Sequence, residues 1–254
     1  MLLAIDASTN WASLALLREG RPVATHHWAI GQQHSTQLFG GIDTLLAAAD
    51  APHGAVTAVA VATGPGSFNG TRVAVTAAKT LAFVWDVPLI GVPTLDGLAE
   101  DALRESDPAL SLTPGDASIL AVLEAGRDEL YLCWYDLTRA GTAAVPHVQP
   151  RGPIIIAQVP DIVAPASDRS GSIVLCGEYS DAHAGALVAA LGPERLTVHA
   201  GGAPDRAIGI GQLAWLRLAA GERDDPLALA PSYVRRPNIT TSTRHPIPGP
   251  PERA

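Results

Sequence analysis

A glycine-rich turn between a predicted strand and a predicted helix has the residue types of an anion-binding site. It consists of Gly64, Pro65, Gly66, Ser67 and Phe68. A valine-rich strand is predicted over 55–63, and a helix is predicted to begin at Asn69 or Gly70, with Asn69 as a favourable N-cap. Such a turn directs several backbone N–H groups towards one point, where a phosphate group can bind.

The two common phosphate-binding motifs do not match this turn. A Walker loop requires Lys and then Ser or Thr directly after its last glycine, whereas Thr71 and Arg72 follow Gly70. The dinucleotide-binding fingerprint is G-x-G-x-x-G, and the glycines here have the longer spacing G-x-G-x-x-x-G. Glycines that relieve backbone crowding in a tight strand-to-helix turn explain the pattern equally well.

Asp6 ends the first predicted strand, and Ser8 and Thr9 follow it in a turn. Their hydroxyls and the turn amides form a second candidate phosphate loop, of the kind found in actin-like ATPases. A two-metal nuclease would need further carboxylates on neighbouring strands, and the strand over 11–18 has none. We expect Asp6 to cap the turn rather than to catalyse. An actin-like, ATP-dependent small-molecule kinase or ATPase stays open as the alternative function.

Other catalytic motifs are missing from the sequence. No two of the eight histidines are four residues apart, so there is no H-x-x-x-H helix face for a metal, and there is no C-x-x-C pair. No G-x-S-x-G serine elbow is present. Cys133 and Cys176 fall in predicted strands, where buried, reduced thiols are expected.

The predicted elements occur in an order that repeats. Three strands, a helix, a strand, a helix, a strand and a helix are predicted over 2–105, and the same order is predicted over 118–220. The second unit includes a strand predicted over 142–148 and a weak helix predicted over 153–163. Two βββαβαβα units predict an α/β protein with a duplicated ribonuclease H-like, actin-like fold.

We divide the chain into a first subdomain over 1–106, a second over 107–230 and a Pro- and Arg-rich tail over 231–254. At 254 residues and 47% hydrophobic content, the chain can bury two ordinary cores. No apolar run is long enough to span a bilayer, and the first twenty residues lack the features of a signal peptide, so we expect a cytoplasmic protein without membrane association. The net charge of −8 argues against nucleic-acid binding by the chain alone.

The helix after the glycine-rich turn is apolar on nearly all sides. Its polar residues form one narrow strip: Arg72, Thr76, Lys79 and Thr80. A helix of this kind is buried on all sides. One side can pack on its own sheet, so the other needs a cover from another helix of the chain or from another chain.

Five segments of the sequence together resemble the TsaB (YeaZ) family. These segments are 5–9, 34–35, 64–79, 124–131 and 231–235. The Gly-Pro-Gly-Ser-Phe run is quite specific, and the other segments are individually weak but occur in the order typical of the family. The resemblance extends from Met1 to about Arg236.

The resemblance implies an actin-like protein, similar to M22 peptidases, that is not an enzyme by itself. Family members scaffold a larger relative, TsaD, which carries the metal and transfers a threonylcarbamoyl group to adenosine 37 of tRNAs that read codons beginning with A. The ATPase TsaE joins this complex, and tRNA is contacted only through it. The resemblance implies no cofactor of the chain's own, and it leaves open a homodimer and ATP or ADP at the partner interface. A peptidase, as the older family label suggests, is a further alternative.

The resemblance also implies an interface. Family members dimerise through the helices that match 34–49 and 70–83 of this chain. The interface residues carried over are His34, Leu38, Ile42, Leu45, Gly70, Arg72, Val75, Ala78, Lys79 and Ala82. We therefore expect that an aspartate at Val75 or Ala78 abolishes association and leaves the chain folded.

Overall fold

The computed structural model describes residues 1–29, 34–106, 115–139, 146–167, 171–199 and 205–235. The first sheet begins with an antiparallel meander and continues with two strands parallel to β1, in the order β3-β2-β1-β4-β5. Its strands are β1 (Leu2–Asp6), β2 (Trp11–Arg18), β3 (Arg21–Ala29), β4 (Ala58–Ala62) and β5 (Leu89–Val92). β1 and β4 are buried along their whole length, which explains why all their residues are apolar except Asp6, the last residue of β1.

The second sheet repeats the plan of the first. Its strands are β6 (Ala117–Gly126), β7 (Glu129–Arg139), β8 (Pro146–Pro150), the short β9 (Ile155–Ala157), β10 (Ser172–Glu178) and β11 (Leu196–Val198). The order is β11-β10-β6-β7-β8, and β9 pairs with β7 outside this path. β6 and β7 pair antiparallel, and β10 is parallel to β6 and to β11. The same strand order in both sheets confirms the duplicated ribonuclease H-like fold.

Six α-helices cover the sheets in the described part of the chain. They are α1 (His34–Ala48), α2 (Phe68–Trp85), α3 (Thr94–Glu105), α4 (Val159–Ser167), α5 (Asp181–Leu191) and α6 (Ala207–Ala219). α1 and α2 share one core with the first sheet. α4 and α5 pack on one face of the second sheet, where Ile162 and Leu187 are buried.

The helices α3 and α6 pack on the sheet of the opposite half of the chain. Leu95 and Leu98 of α3 belong to the core formed with β6, β7 and β10. Ile208 and Ala214 of α6 belong to the core formed with β1, β2 and β4. A boundary near residue 106 therefore separates the two sheets but not their helices.

Several predicted boundaries differ from the structure. The predicted strand over 55–63 begins only at Ala58, because His53–Ala55 forms a short 3-10 turn. The weak helix over 153–163 is wrong in its first part, since the β-branched pair Ile155 and Ile156 pairs with β7 and α4 begins after it. The strand predicted over 142–148 is observed from Pro146, and 140–145 and 236–254 lie outside the described residues.

Candidate functional site

The glycine-rich turn leads into α2 with Ser67, not Asn69, as the N-cap. Ser67 Oγ accepts a hydrogen bond from the Gly70 backbone N–H at 3.2 Å. The Ser67 N–H itself donates to the carbonyl oxygen of Ser8 at 2.5 Å. The prediction of Asn69 as N-cap is wrong because the helix begins at Phe68, so that Ser67 is the residue directly before it and its side chain caps the first turn.

The glycines allow the turn to lie directly against the first hairpin. A Cβ atom at Gly66 would lie 2.9 Å from the carbonyl carbon of Ser8, and one at Gly70 would lie 3.2 Å from that of Ala7. Gly66 also has a φ of 153°, which other residues rarely adopt. The sequence left two interpretations of these glycines, an anion-binding turn or relief of backbone crowding. Their close approach to the first hairpin is explained by relief of backbone crowding.

Asp6 caps the turn that follows β1, as predicted. Its Oδ1 accepts hydrogen bonds from the backbone N–H of Ser8 at 2.8 Å and from Ser8 Oγ at 2.6 Å. Both residues are almost fully buried. The Ser8 hydroxyl is thus committed to Asp6 and does not face a ligand.

A cleft of about 610 Å³ lies between the turns at the ends of the two sheets. The first half of the chain contributes Ser8–Asn10 together with Gly66 and Ser67 of the glycine-rich turn, and the second sheet contributes the ends of β6 and β10. The charged residues lining it are Glu124 and Glu178, both acidic. Thr9 Oγ1 donates to Glu178 Oε1 across the cleft at 2.6 Å. With Glu178 occupying Thr9 and the carboxylate of Glu124 facing the same cleft, this arrangement is a poor phosphate loop as it stands.

Most of the residues carried over as an interface are buried in this chain's own core. Leu38, Ile42 and Leu45 of α1 and Gly70, Val75, Ala78 and Ala82 of α2 have almost no exposed surface. They pack against the first sheet, and an aspartate at Val75 or Ala78 would be an unpaired buried charge. The expectation that such variants stay folded is therefore wrong.

The remaining interface residues take different positions. Arg72 is exposed on the polar strip of α2. Lys79 is half-buried, and its Nζ donates to the carbonyl oxygen of Leu229 at 3.1 Å. α1 begins at His34, whose side chain lies outside the described residues. The cover that the apolar helix requires comes mainly from the chain itself, through the sheet, α1 and the segment around Leu229.

An open groove of about 380 Å³ remains on the outer side of α1 and α2. It is lined by Phe39, Arg72, Val73, Thr76, Ala77 and Thr80. Phe39 is 46% exposed although its neighbour Leu38 is buried. Phe39 was not among the predicted interface residues. Its position one residue out of phase with Leu38, Ile42 and Leu45 indicates that it faces outwards.

Comparison with known proteins shows which proteins this chain is similar to. The family model described as "TsaD: tRNA N6-adenosine threonylcarbamoyltransferase" matches residues 29–147. The TsaB proteins of Bacillus subtilis and Escherichia coli are 32% and 30% identical over 134 and 140 residues, which cover 53% and 55% of this chain. A Pseudomonas aeruginosa structure described as similar to peptidase YeaZ is 27% identical, with a TM-score of 0.73, over 92% of this chain and 99% of its own.

The chain is similar to proteins of the TsaB/YeaZ family. A second structure, YeaZ from Pseudomonas aeruginosa, has a TM-score of 0.68 at 26% identity and covers 91% of this chain and 98% of its own. By sequence, the chain spans about half the length of the curated relatives it matches, 54% of the Bacillus subtilis protein and 57% of the Escherichia coli protein.

Three of the segments that resemble the TsaB/YeaZ family meet beside α2. Arg72 Cζ lies 3.7 Å from the centre of the Phe68 ring, and its Nε donates to Tyr233 Oη at 2.7 Å. The Ser232 N–H donates to the carbonyl oxygen of Thr63 at 2.7 Å, next to the glycine-rich turn. Arg235 pairs with Glu129 at the start of β7. The segment 231–235 thereby joins α2 to the second sheet.

Ser180, His183 and Asp128 form a hydrogen-bonded row at the rim of the cleft. Ser180 Oγ lies 2.8 Å from His183 Nδ1, and His183 Nε2 lies 3.1 Å from Asp128 Oδ1. Ser180 is also the N-cap of α5, since its Oγ accepts from the His183 backbone N–H at 3.3 Å. The Asp128 side chain is 87% exposed, so water competes for its contact with the imidazole. The row is best explained as a helix cap linked to the β6–β7 hairpin.

The described residues include no group of three His, Cys, Asp or Glu side chains arranged to hold a metal ion. Cys133 and Cys176 are buried free thiols, as predicted. Burial raises the pKa of both thiols above the ordinary value, which disfavours the reactive thiolate. None of the helices in the described ranges has the length and apolar character needed to cross a bilayer.

Proposed function

We propose that this chain is a member of the TsaB/YeaZ family and acts as a non-catalytic scaffold subunit for threonylcarbamoyl transfer to adenosine 37 of tRNAs that read codons beginning with A. The observation that carries the proposal is the match to proteins named for tRNA threonylcarbamoyladenosine biosynthesis, together with a YeaZ likeness over both sheets. The catalytic partner is a TsaD-like subunit, which docks on the groove between α1 and α2.

The chemistry of the cleft supports a scaffold over a kinase. The hydroxyl of Ser8 donates to Asp6, and that of Thr9 donates to Glu178. A phosphate group would have to displace these partners and then face the carboxylates of Glu124 and Glu178. A kinase would need free donors and a free cation at this place, whereas the nearby cation, Arg206, is already paired with Glu178.

The groove has the mixture of groups found at protein interfaces. Phe39 and Val73 present apolar surface, and Arg72, Thr76 and Thr80 supply polar groups around it. Burial of the apolar part against a partner helix would drive association at about 25 cal/mol per Å², before the cost of association is subtracted. A second copy of this chain can use the same groove, so a homodimer in the absence of TsaD belongs to the proposal.

The remaining partners follow from the same proposal. A TsaE-like ATPase joins the complex, ATP or ADP binds at the partner interface rather than in this chain alone, and tRNA is reached only through the complex. The site of action is the cytoplasm, where tRNA is modified.

Reconstitution of the modification reaction tests this function. TsaD-like and TsaE-like proteins of the same organism are incubated with tRNA, a threonylcarbamoyl donor and ATP, with and without this chain. We expect modified adenosine only when the chain is present. Full modification without the chain would contradict the proposal, and phosphorylation of a small molecule or hydrolysis of ATP by the chain alone would favour the kinase.

A further inference from the structure

The carboxylate of Glu178 is held by groups that belong to the other sheet. Glu178 ends β10 in the second sheet, and its Oε1 accepts a hydrogen bond from Thr9 Oγ1 in the β1–β2 turn at 2.6 Å. The same oxygen is paired with Arg206, which directly precedes α6, the helix packed on the first sheet. One side chain therefore ties the two sheets together across the cleft.

Arg206 is a charged group built into the interior. The residue is only 2% exposed, and its Nη2 donates to the carbonyl oxygen of Trp11 at 2.7 Å. Its Nε has no hydrogen-bond acceptor, and the nearest carboxylate oxygen, Asp6 Oδ2, lies 3.5 Å away. The other oxygen of Asp6, Oδ1, accepts hydrogen bonds from Ser8. The carboxylate that is hydrogen-bonded directly to this guanidinium is therefore that of Glu178.

A buried guanidinium beside a hydroxyl donor is the chemistry that proteins use to bind carboxylate and phosphate groups. We propose that Thr9 and Arg206 form an anion-binding site whose resident ligand is the chain's own Glu178. A small oxyanion, phosphate or carboxylate, enters this site only when Glu178 leaves it. The bridge that Glu178 forms across the cleft and the binding of an external anion are then mutually exclusive. This inference goes beyond the proposed scaffold function and does not depend on it.

Removal of the Glu178 side chain to Cβ tests the site, because it frees space for an added anion. Thermal unfolding of Glu178→Ala is measured in sodium chloride, sodium phosphate and sodium acetate at equal ionic strength. In chloride the variant unfolds at a lower temperature than the wild type. At about ten times the dissociation constant of phosphate or acetate, its midpoint rises by about 3–6 °C, whereas that of the wild type stays unchanged relative to chloride.

Glu124→Ala is the matched control, since Glu124 lines the same cleft without contacting Thr9 or Arg206 through a hydrogen bond. It should behave as the wild type in all three salts. If Glu178→Ala fails to fold in chloride, recovery of folded protein after dilution from urea into phosphate or acetate replaces the midpoint, and Glu178→Gln supplies a second, milder variant. Equal responses of the wild type, the control and both Glu178 variants to each salt would overturn the proposal. Rescue by phosphate alone would restrict the ligand to phosphate groups, and rescue by both anions would assign a general oxyanion site.

Discussion

Gly209 of α6 lies directly against the carbonyl oxygen of Gly97 of α3. A Cβ atom at Gly209 would also lie 2.9 Å from Cγ of Asp101, and one at Gly97 would lie 2.9 Å from Cγ1 of Ile210. The two helices therefore touch through their backbones at this crossing. Because each helix packs on the sheet of the opposite half, the crossing joins the two subdomains.

Gly209→Ala should destabilise the chain, because the added methyl group requires α3 and α6 to move apart in a packed core. We expect a loss of about 1–3 kcal/mol in the free energy of unfolding, measured by urea denaturation. Gly185→Ala in α5 is the matched control, since a Cβ there meets nothing within 4 Å. The control should be stabilised by about 0.5–1 kcal/mol through helix propensity. Equal effects of the two substitutions would contradict the close crossing.

Ser67→Ala should weaken the N-terminus of α2, because the Gly70 N–H loses its acceptor. The expected cost is about 1 kcal/mol in the free energy of unfolding. Asn69→Ala, at the residue that the sequence favoured as the cap, should change stability by less than about 0.5 kcal/mol, since Asn69 is an exposed residue of the first turn. Chemical denaturation of both variants decides which residue caps the helix, and the reverse order of the two costs would contradict the structure.

His147 should stabilise the fold at low pH but not at high pH. Its Nδ1 lies 2.8 Å from Oε1 of the buried Glu100, and this hydrogen bond raises the pKa of His147. A raised folded-state pKa means that the stabilisation is fully present below the unfolded-state pKa of about 6.5 and is lost as the pH rises through the folded-state value. We therefore expect His147→Gln to lose more stability at about pH 6 than at about pH 9.

The control for this pH dependence is His53→Gln, since the contact of His53 with Asp43 is exposed to solvent. Urea denaturation of the wild type and both variants at the two pH values gives the comparison. A cost of His147→Gln that is the same at both pH values, or larger at high pH, would show that the histidine is not charged in its contact with Glu100.

The order of elements was predictable from the sequence, and the assignment of helices to sheets was not. Apolar runs separated by short turns and apolar residues at helical spacing give the sequence of strands and helices, because these patterns are local. The same patterns show that Leu95 and Leu98 face a core without showing which core. The packing of α3 and α6 on opposite sheets depends on contacts between residues about a hundred positions apart, such as Asp101 and Gly209. Local sequence patterns do not show such contacts.

The candidate site was predictable only in its local parts. The role of Asp6 follows from its place before Ser8 in a turn, and the structure confirms it. The bond from Thr9 to Glu178 joins residues 169 positions apart, and no short motif indicates it. The apolar character of α2 was interpreted as a partner surface because the sequence does not reveal that the first sheet, α1 and the segment around Leu229 cover part of it, whereas Phe83 and Val84 at its end are exposed.

The proposed docking groove is tested most directly by the affinity of the chain for its TsaD-like subunit after Thr76→Asp. Thr76 is exposed in the groove, so the aspartate leaves the fold intact, as circular dichroism and the urea midpoint should confirm. Ala186→Asp on the exposed face of α5 adds the same charge far from the groove and is the matched control. The account predicts that Thr76→Asp raises the dissociation constant at least about tenfold, a loss of about 1.4 kcal/mol, while the control leaves it unchanged. A folded Thr76→Asp variant that binds as tightly as the control would contradict the account.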